Sequence, residues 1–264
     1  MELKYKTLIF DFHGTVTDHQ LRAIKAYHQA AHEAFGIHLG QEFYQQTLTR
    51  PSHSKGEPIT NSDYINDQFS ACYSDDQMDR FKTVHKEAMD KVYIPIPGMR
   101  STIRQLIGLG VNVVLLTNGS NRESIIQTLV AWDKQNKHGV NNLRERLYSS
   151  HITKVRKPNP VAAEFILADL QNQGLNVEKS TTLIIGDNRV DSETASNAGI
   201  DFTLIVRGNG QETFSLREPK PTYLITDPVE LLPIVEGNRD PETRDKVTIQ
   251  PVLWKKIGWY GIIE

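Results

Sequence analysis

Lys6-Thr7-Leu8-Ile9-Phe10-Asp11-Phe12-His13-Gly14-Thr15-Val16-Thr17-Asp18 is the stretch whose reading decides the fold of this chain. Leu8-Ile9-Phe10 is an apolar run of the length of a buried strand. It stops at a carboxylate, Asp11, with His13 and Gly14 close behind. A strand that ends in Asp and turns through Gly sets the carboxylate at the carboxyl end of a sheet, where open α/β sheets bind ligands. Taken alone, an Asp after a strand is an ordinary turn residue. Three later stretches give it weight.

Working outward, the segment after Asp18 reads as helical. Leu21, Ile24, Tyr27, His28, Ala31 and Phe35 recur three or four residues apart, and Gly36 marks a stop. Residues 40–60 are polar and irregular. Residues 65–71 and 78–92 read as helical again, with Ser74-Asp75-Asp76-Gln77 offering an N-cap. Two prolines and a glycine at 95–98 end the pattern. From Met99 the periodicity predicts a helix over 99–109 and a strand over 111–116 that stops at Thr117-Asn118-Gly119. A helix over 121–132, a loop over 133–145 and a short strand within 146–153 follow. Lys157-Pro158-Asn159-Pro160 opens a helix over 161–171, proline being tolerated in a first turn. A strand over 181–185 ends in Gly186-Asp187-Asn188-Arg189-Val190-Asp191. A short helix to Gly199, strands at 202–206 and 223–226 and a helix over 228–236 complete the alternation. Apolar strands alternating with helices predict an α/β fold, a Rossmann-like parallel sheet with helices on both faces, interrupted by an all-helical insertion.

Composition narrows the function classes. The 264 residues carry a net charge of −2 and a pI near 6.5, so neither a nucleic-acid groove nor an anionic membrane surface is expected as a partner. One cysteine, Cys72, permits no internal disulfide and fits a reducing compartment. The start of the chain has no apolar run with a small-residue cleavage site, and no run has the length of a membrane span. A cytoplasmic protein is the expectation.

Four strand ends or helix starts carry chemistry-bearing residues: Asp11 with His13, Thr117-Asn118, Lys157, and Asp187 with Asp191. Their order and settings resemble the haloacid dehalogenase-like (HAD) hydrolase superfamily over residues of about 5 to 236. That family's pattern is Asp-x-Asp-Gly-Thr, a strand ending in Thr or Ser, a Lys often followed by Pro, and Gly-Asp-x-x-x-Asp. The resemblance implies a core of residues 1–17 and 95–236, a helical cap of residues 18–94 and an extension of residues 237–264. It implies a Mg²⁺-dependent phosphatase acting on a small phosphorylated metabolite. Asp11 would be the nucleophile that forms an aspartyl phosphate. Asp11, the backbone carbonyl of His13 and Asp187 would hold Mg²⁺, with Asp191 supporting them from behind. Thr117 and the amide of Asn118 would bind phosphoryl oxygens, and Lys157 would neutralise charge shared by phosphoryl and Asp11.

The departure from that pattern is His13, which stands where family phosphatases have a second Asp as acid and base. A backbone metal contact tolerates the change. Imidazole, with an ordinary pKa of about 6.5, can carry protons at neutral pH. Two other readings stay open. Phosphonoacetaldehyde hydrolases also replace the second Asp and use a cap lysine, for which Lys55 is the candidate here; a silent phosphate-binding or regulatory protein is the other. Arg50, His53 and Lys55 are candidates to meet an anionic substrate. The tail crowds Val247, Ile249, Val252, Leu253, Trp254, Ile257, Trp259, Tyr260, Ile262 and Ile263 together, which is expected to cover the core domain or to make a homodimer contact.

Overall fold

The computed structural model describes residues 2–40, 69, 72–91, 93–119, 122–134, 141–206 and 219–241, with the backbone at 53–54 and 57–58. The apolar tail from Val247 onward lies outside the described residues, as does all but Phe69 of the helix expected over 65–71. Among the described residues no helix is long and apolar enough to cross a membrane.

The chain divides into two compact units, cut between Asp18 and His19 and between Ile94 and Pro95. The first is built on β1 (Thr7–Asp11), β4 (Asn112–Thr117), β5 (Leu147–Ser149), β6 (Thr182–Gly186), β7 (Asp201–Ile205) and β8 (Tyr223–Ile225). They form one sheet in the order β5-β4-β1-β6-β7-β8, with every neighbouring pair parallel. Numbered by their own sequence order this is 3-2-1-4-5-6, the doubly wound arrangement. All five residues of β1 and all five of β6 are buried, as a sheet covered on both faces requires. Phe10 lies opposite Leu115 on one side and Ile185 on the other. Among the described residues the helices of this unit are α3 (Met99–Gly108), α4 (Arg122–Lys134), α5 (Asn141–Glu145), α6 (Ser150–Thr153), α7 (Val161–Asn172), α8 (Arg189–Ala198) and α9 (Leu231–Val235). Ala162, Ala163, Ile166 and Leu170 of α7 pack with Ile9, Val114 and Ile184 of the sheet.

The loop expected over 133–145 is corrected at its end, where residues 141–145 form α5 with Leu143 buried. A five-residue helix with one core side chain has no period to read. Likewise 146–153 holds both a strand and a helical turn, and the closing helix begins as a 3₁₀ turn at Pro228–Glu230.

The second unit contains α1 (His19–Phe35), the two-residue strands β2 (His53–Ser54) and β3 (Glu57–Pro58), and α2 (Asp75–Lys91). Gly36, with φ +70°, ends α1. Ser74 and Gln77 cap α2 reciprocally: the Gln77 amide donates to Ser74 Oγ, and the Ser74 amide to Gln77 Oε1. Ile24, Tyr27 and Ala31 of α1 meet Phe69, Met78 and Phe81, and Phe35 stacks on Tyr73 and Phe81. His28 leaves that apolar face half-buried at its edge.

Candidate active site

β1, β4 and β6 are adjacent and parallel, so their carboxyl ends deliver Asp11, Thr117 and the Gly186-Asp187 turn to one edge of the sheet. The strand order reverses between β1 and β6, which opens a crevice there. Asp11 and Asp187 stand on its two sides.

The turn after Asp11 is held by its own backbone. The amides of Val16 and Thr17 donate to the Phe12 carbonyl at 3.1 and 2.9 Å, and the Gly14 amide to the Thr17 carbonyl at 2.8 Å. Position 14 requires glycine twice over. Its φ is +97°, and a Cβ there would fall 2.1 Å from Asp187 Oδ2. The close approach of this turn to Asp187 is what narrows the crevice. Gly186 plays the same part opposite Asp191, where a Cβ would meet the Asp191 side chain at 2.3 Å.

Lys157 enters from the loop before α7 and is buried. Its Nζ donates to Asp11 Oδ1 and to Asp191 Oδ1, each at 2.5 Å. Burial alone would pull the ammonium's pKa down; the two carboxylates outweigh it and hold Lys157 above its ordinary value. The Asn118 side chain fixes the backbone that carries this lysine. Its Nδ2 donates to the Lys157 carbonyl at 3.0 Å, and its Oδ1 accepts from the Lys157 amide at 2.8 Å. Asn188 does comparable work for the acids. It caps α8 by accepting from the amides of Val190 and Asp191, and its Nδ2 donates to Asp187 Oδ1 at 3.0 Å.

Asp11, Asp187 and Asp191 are all buried, and one ligand oxygen from each lies within 4.8 Å of the others. Burial first, with Asp191 adding to it, pushes Asp11 up to about 7 despite Lys157. Burial, then Asp11 and Asp191, push Asp187 well above the ordinary carboxylate range. Asp11 Oδ2 and Asp191 Oδ2 have no hydrogen-bond partner among the described residues. Three carboxylates thus face one ammonium, with two buried oxygens unsatisfied. An all-oxygen donor set with excess negative charge fits a hard divalent cation.

His13 is half-buried, with its ring edge-on to Phe12 at 5.1 Å. A Cβ on Gly119 would lie 3.2 Å from both His13 Nε2 and Thr117 Oγ1, so the imidazole reaches the loop beyond β4, beside the threonine. Thr117 Oγ1 accepts from the Gly119 amide at 2.9 Å.

Of the residues singled out in the sequence, Asp11, Lys157, Asp187 and Asp191 meet in one cluster, and His13 and Thr117 stand together at the end of β4. Arg50 and Lys55 lie outside the described residues. The side-chain roles of Asn118 and Asn188 were not foreseen. Asn188 carried a signal, since Asn before a helix start is a preferred cap. Asn118 carried none, because its partner is thirty-nine residues away.

The sequence profile of the haloacid dehalogenase-like hydrolases matches residues 8–205. A HAD family hydrolase from Deinococcus radiodurans, solved with bound phosphate and sodium, superposes with a TM-score of 0.65 at 18% identity, covering 91% of this chain and 100% of that one. The HAD-hydrolase YfnB from Bacillus subtilis, solved bound to magnesium, gives 0.63 at 22% identity, covering 88% and 99%. Among curated proteins, the D-glycero-D-manno-heptose-1,7-bisphosphate 7-phosphatase of Chlorobaculum tepidum is 36% identical over 58 residues, 22% of this chain and 29% of that protein. The chain therefore aligns with less than a third of that relative's length.

Proposed function

Because the chain belongs to the haloacid dehalogenase-like hydrolases, we propose that it is a Mg²⁺-dependent phosphatase acting on a small phosphorylated metabolite through an aspartyl phosphate. The observation that carries this reading is the charge-unbalanced cluster of Asp11, Asp187 and Asp191 around Lys157 at the switch point of the sheet. Asp11, Asp187 and the main-chain carbonyl of His13 would hold Mg²⁺, which when bound offsets the charge of the phosphoryl oxygens.

The chain's own groups account for the rest. Asp11 attacks phosphorus, an O–P bond forms and the ester P–O bond breaks. His13 as imidazolium gives its proton to the departing oxygen. Water then attacks phosphorus of the aspartyl phosphate, neutral His13 takes its proton, and Asp11 departs as carboxylate with phosphate released. Lys157 holds Asp11 in place and favours the added negative charge of the transition state. Thr117 and the Asn118 amide bind the phosphoryl oxygens. Residues 18–94 serve as the cap, with Arg50 and Lys55 meeting the anionic substrate. Apolar residues of 237–264 would cover the core domain or make a homodimer contact, and truncation at Gly237 should lower solubility or stability.

The deciding experiment is hydrolysis of a generic aryl phosphate by the full chain with Mg²⁺, with EDTA and after Mg²⁺ is restored. Activity lost in EDTA and regained supports the proposal. Full activity in chelator overturns it.

A further inference from the structure

A second cluster of metal-ligating side chains lies in the helical unit, away from the carboxylates in sequence and different from them in chemistry. His28 and His32 are four residues apart on α1, so they share one face of the helix. Gly36 then reverses the chain in the left-handed conformation, and His38 returns over the same face. The His28 and His38 rings are stacked at 5.2 Å between centroids, and the His32 and His38 rings are 5.1 Å apart. His28 Nε2 and His38 Nδ1 are 3.5 Å apart.

That separation has a physical meaning beyond an imidazole pair. Two nitrogens bound tetrahedrally to one zinc at roughly 2.0–2.1 Å stand about 3.3–3.4 Å from each other. The two nitrogens therefore stand at about the separation of neighbouring ligands of such an ion, which would replace their mutual hydrogen bond. His32 is exposed, and the site requires its side chain to rotate, a motion of the ps–ns range for exposed residues, to supply a third imidazole from one helical turn away. Pairs of histidines at i and i+4 on a helix are a recurrent divalent-metal device.

We propose that His28, His32 and His38 form a site for a borderline divalent ion of the zinc class, separate from the carboxylate cluster. Imidazole selects such ions and is a poor match for Mg²⁺, whereas the carboxylate set is all oxygen. An ion held there ties the chain beyond Gly36 to α1. The inference does not depend on the phosphatase reading.

The test is calorimetric titration of the full chain with Zn²⁺ in millimolar Mg²⁺, which competes for the carboxylate cluster. The parent should bind one Zn²⁺ and melt at a higher temperature with it. His38→Ala and His32→Ala change exposed side chains and should melt like the parent without Zn²⁺. Loss of a ligand should weaken binding at least as much as loss of a ligand's outer hydrogen bond, roughly 10–100-fold. Asp187→Asn should bind Zn²⁺ like the parent. If the parent takes up no Zn²⁺, the cluster is only an imidazole–imidazole contact. If His38→Ala and His32→Ala bind Zn²⁺ as the parent does, the ion sits elsewhere. Either result overturns the proposal.

Discussion

The two ends of the sheet both carry polar side-chain networks, and they do so in opposite ways. At the amino end, Lys4 Nζ donates to Tyr223 Oη at 2.7 Å, and Tyr5 Oη donates to Asp201 Oδ2 and lies 3.2 Å from Tyr223 Oη. Thr222 Oγ1 donates to the other Asp201 oxygen at 3.1 Å. One acid is matched by one lysine, and every side-chain oxygen of the group has a partner. At the carboxyl end, three acids share one lysine, and two buried oxygens have no hydrogen-bond partner among the described residues. A polar network that serves only the fold closes on itself, since each unsatisfied buried group costs about 1–3 kcal/mol. A network left open has a further task, and its openness is paid in stability.

If that contrast is sound, substitutions at the open end should cost turnover and those at the closed end only stability. The largest effect belongs to Asp11→Asn. The nucleophile is lost while shape is kept, so turnover of an aryl phosphate should fall at least ~10⁴-fold. Retained turnover would mean that the open cluster is not where the chemistry happens.

His13 comes next. His13→Ala should cost roughly a hundred- to ten-thousand-fold in turnover, the usual size of an acid/base contribution, while Mg²⁺ affinity survives through the main-chain carbonyl. The parent's pH–rate profile should show a limb between about 5.5 and 7.5, around the reference value of histidine. His13→Asp should retain activity. If His13→Ala keeps the parent's rate and profile, another group moves the proton.

The fold was legible because each central strand is a continuous apolar run broken by a special residue, as with Ile9 and Phe10 before Asp11 or Ile184 and Ile185 before Gly186. Burial on both faces writes itself into sequence as such runs. The cluster was legible for the same reason: strand ends bring their next residue to a common edge. What could not be read was distance. Nothing in Asn118 announces a partner at Lys157, because that contact follows from β4 lying beside β5, whose exit leads to Lys157, and not from local pattern. Nor does the spacing of His28 and His38 show that Gly36 folds one over the other.

Asn118→Ala tests the clamp. Lys157 stays charged and buried, but its backbone loses two hydrogen bonds. A misplacement of the Nζ by a fraction of an ångström should lower kcat by roughly ten- to a hundredfold. Mg²⁺ affinity should change little, since Asp187 is untouched, and Asn118→Asp, which keeps the acceptor for the Lys157 amide, should fall between the two. An unchanged kcat would show that Lys157 needs no such support.

The open end should also be visible without substrate. Asp11, pushed up to about 7, and Asp187, well above the usual range, bind protons more tightly folded than unfolded. Between about pH 4 and 7 the folded chain therefore holds more protons, and stability falls as pH rises through that window. In EDTA, the melting temperature of the parent relative to Asp11→Asn should drop across that range, and Mg²⁺ should remove the drop by favouring the ionised carboxylates. A parent that gains stability relative to Asp11→Asn as pH rises in chelator would contradict the charge imbalance.

The smallest effect is the one that bears hardest on the comparison. Tyr5→Phe removes a single hydroxyl from the closed network and leaves Asp201 Oδ2 and Tyr223 Oη each short of one contact. The ring remains, still edge-on to Tyr223 at 6.1 Å, so packing is preserved. The cost should be about 1 kcal/mol, the usual net worth of one hydrogen bond at a half-buried site. It should appear as a lower melting temperature or denaturant midpoint with the m-value unchanged. Turnover per folded molecule should equal the parent's. Mg²⁺ should raise the melting temperature of Tyr5→Phe and of the parent by equal amounts, because the cation acts at the other end of the strands. A loss of kcat in Tyr5→Phe would show that the two ends are coupled through β1, and the division between a closed structural network and an open chemical one would then fail.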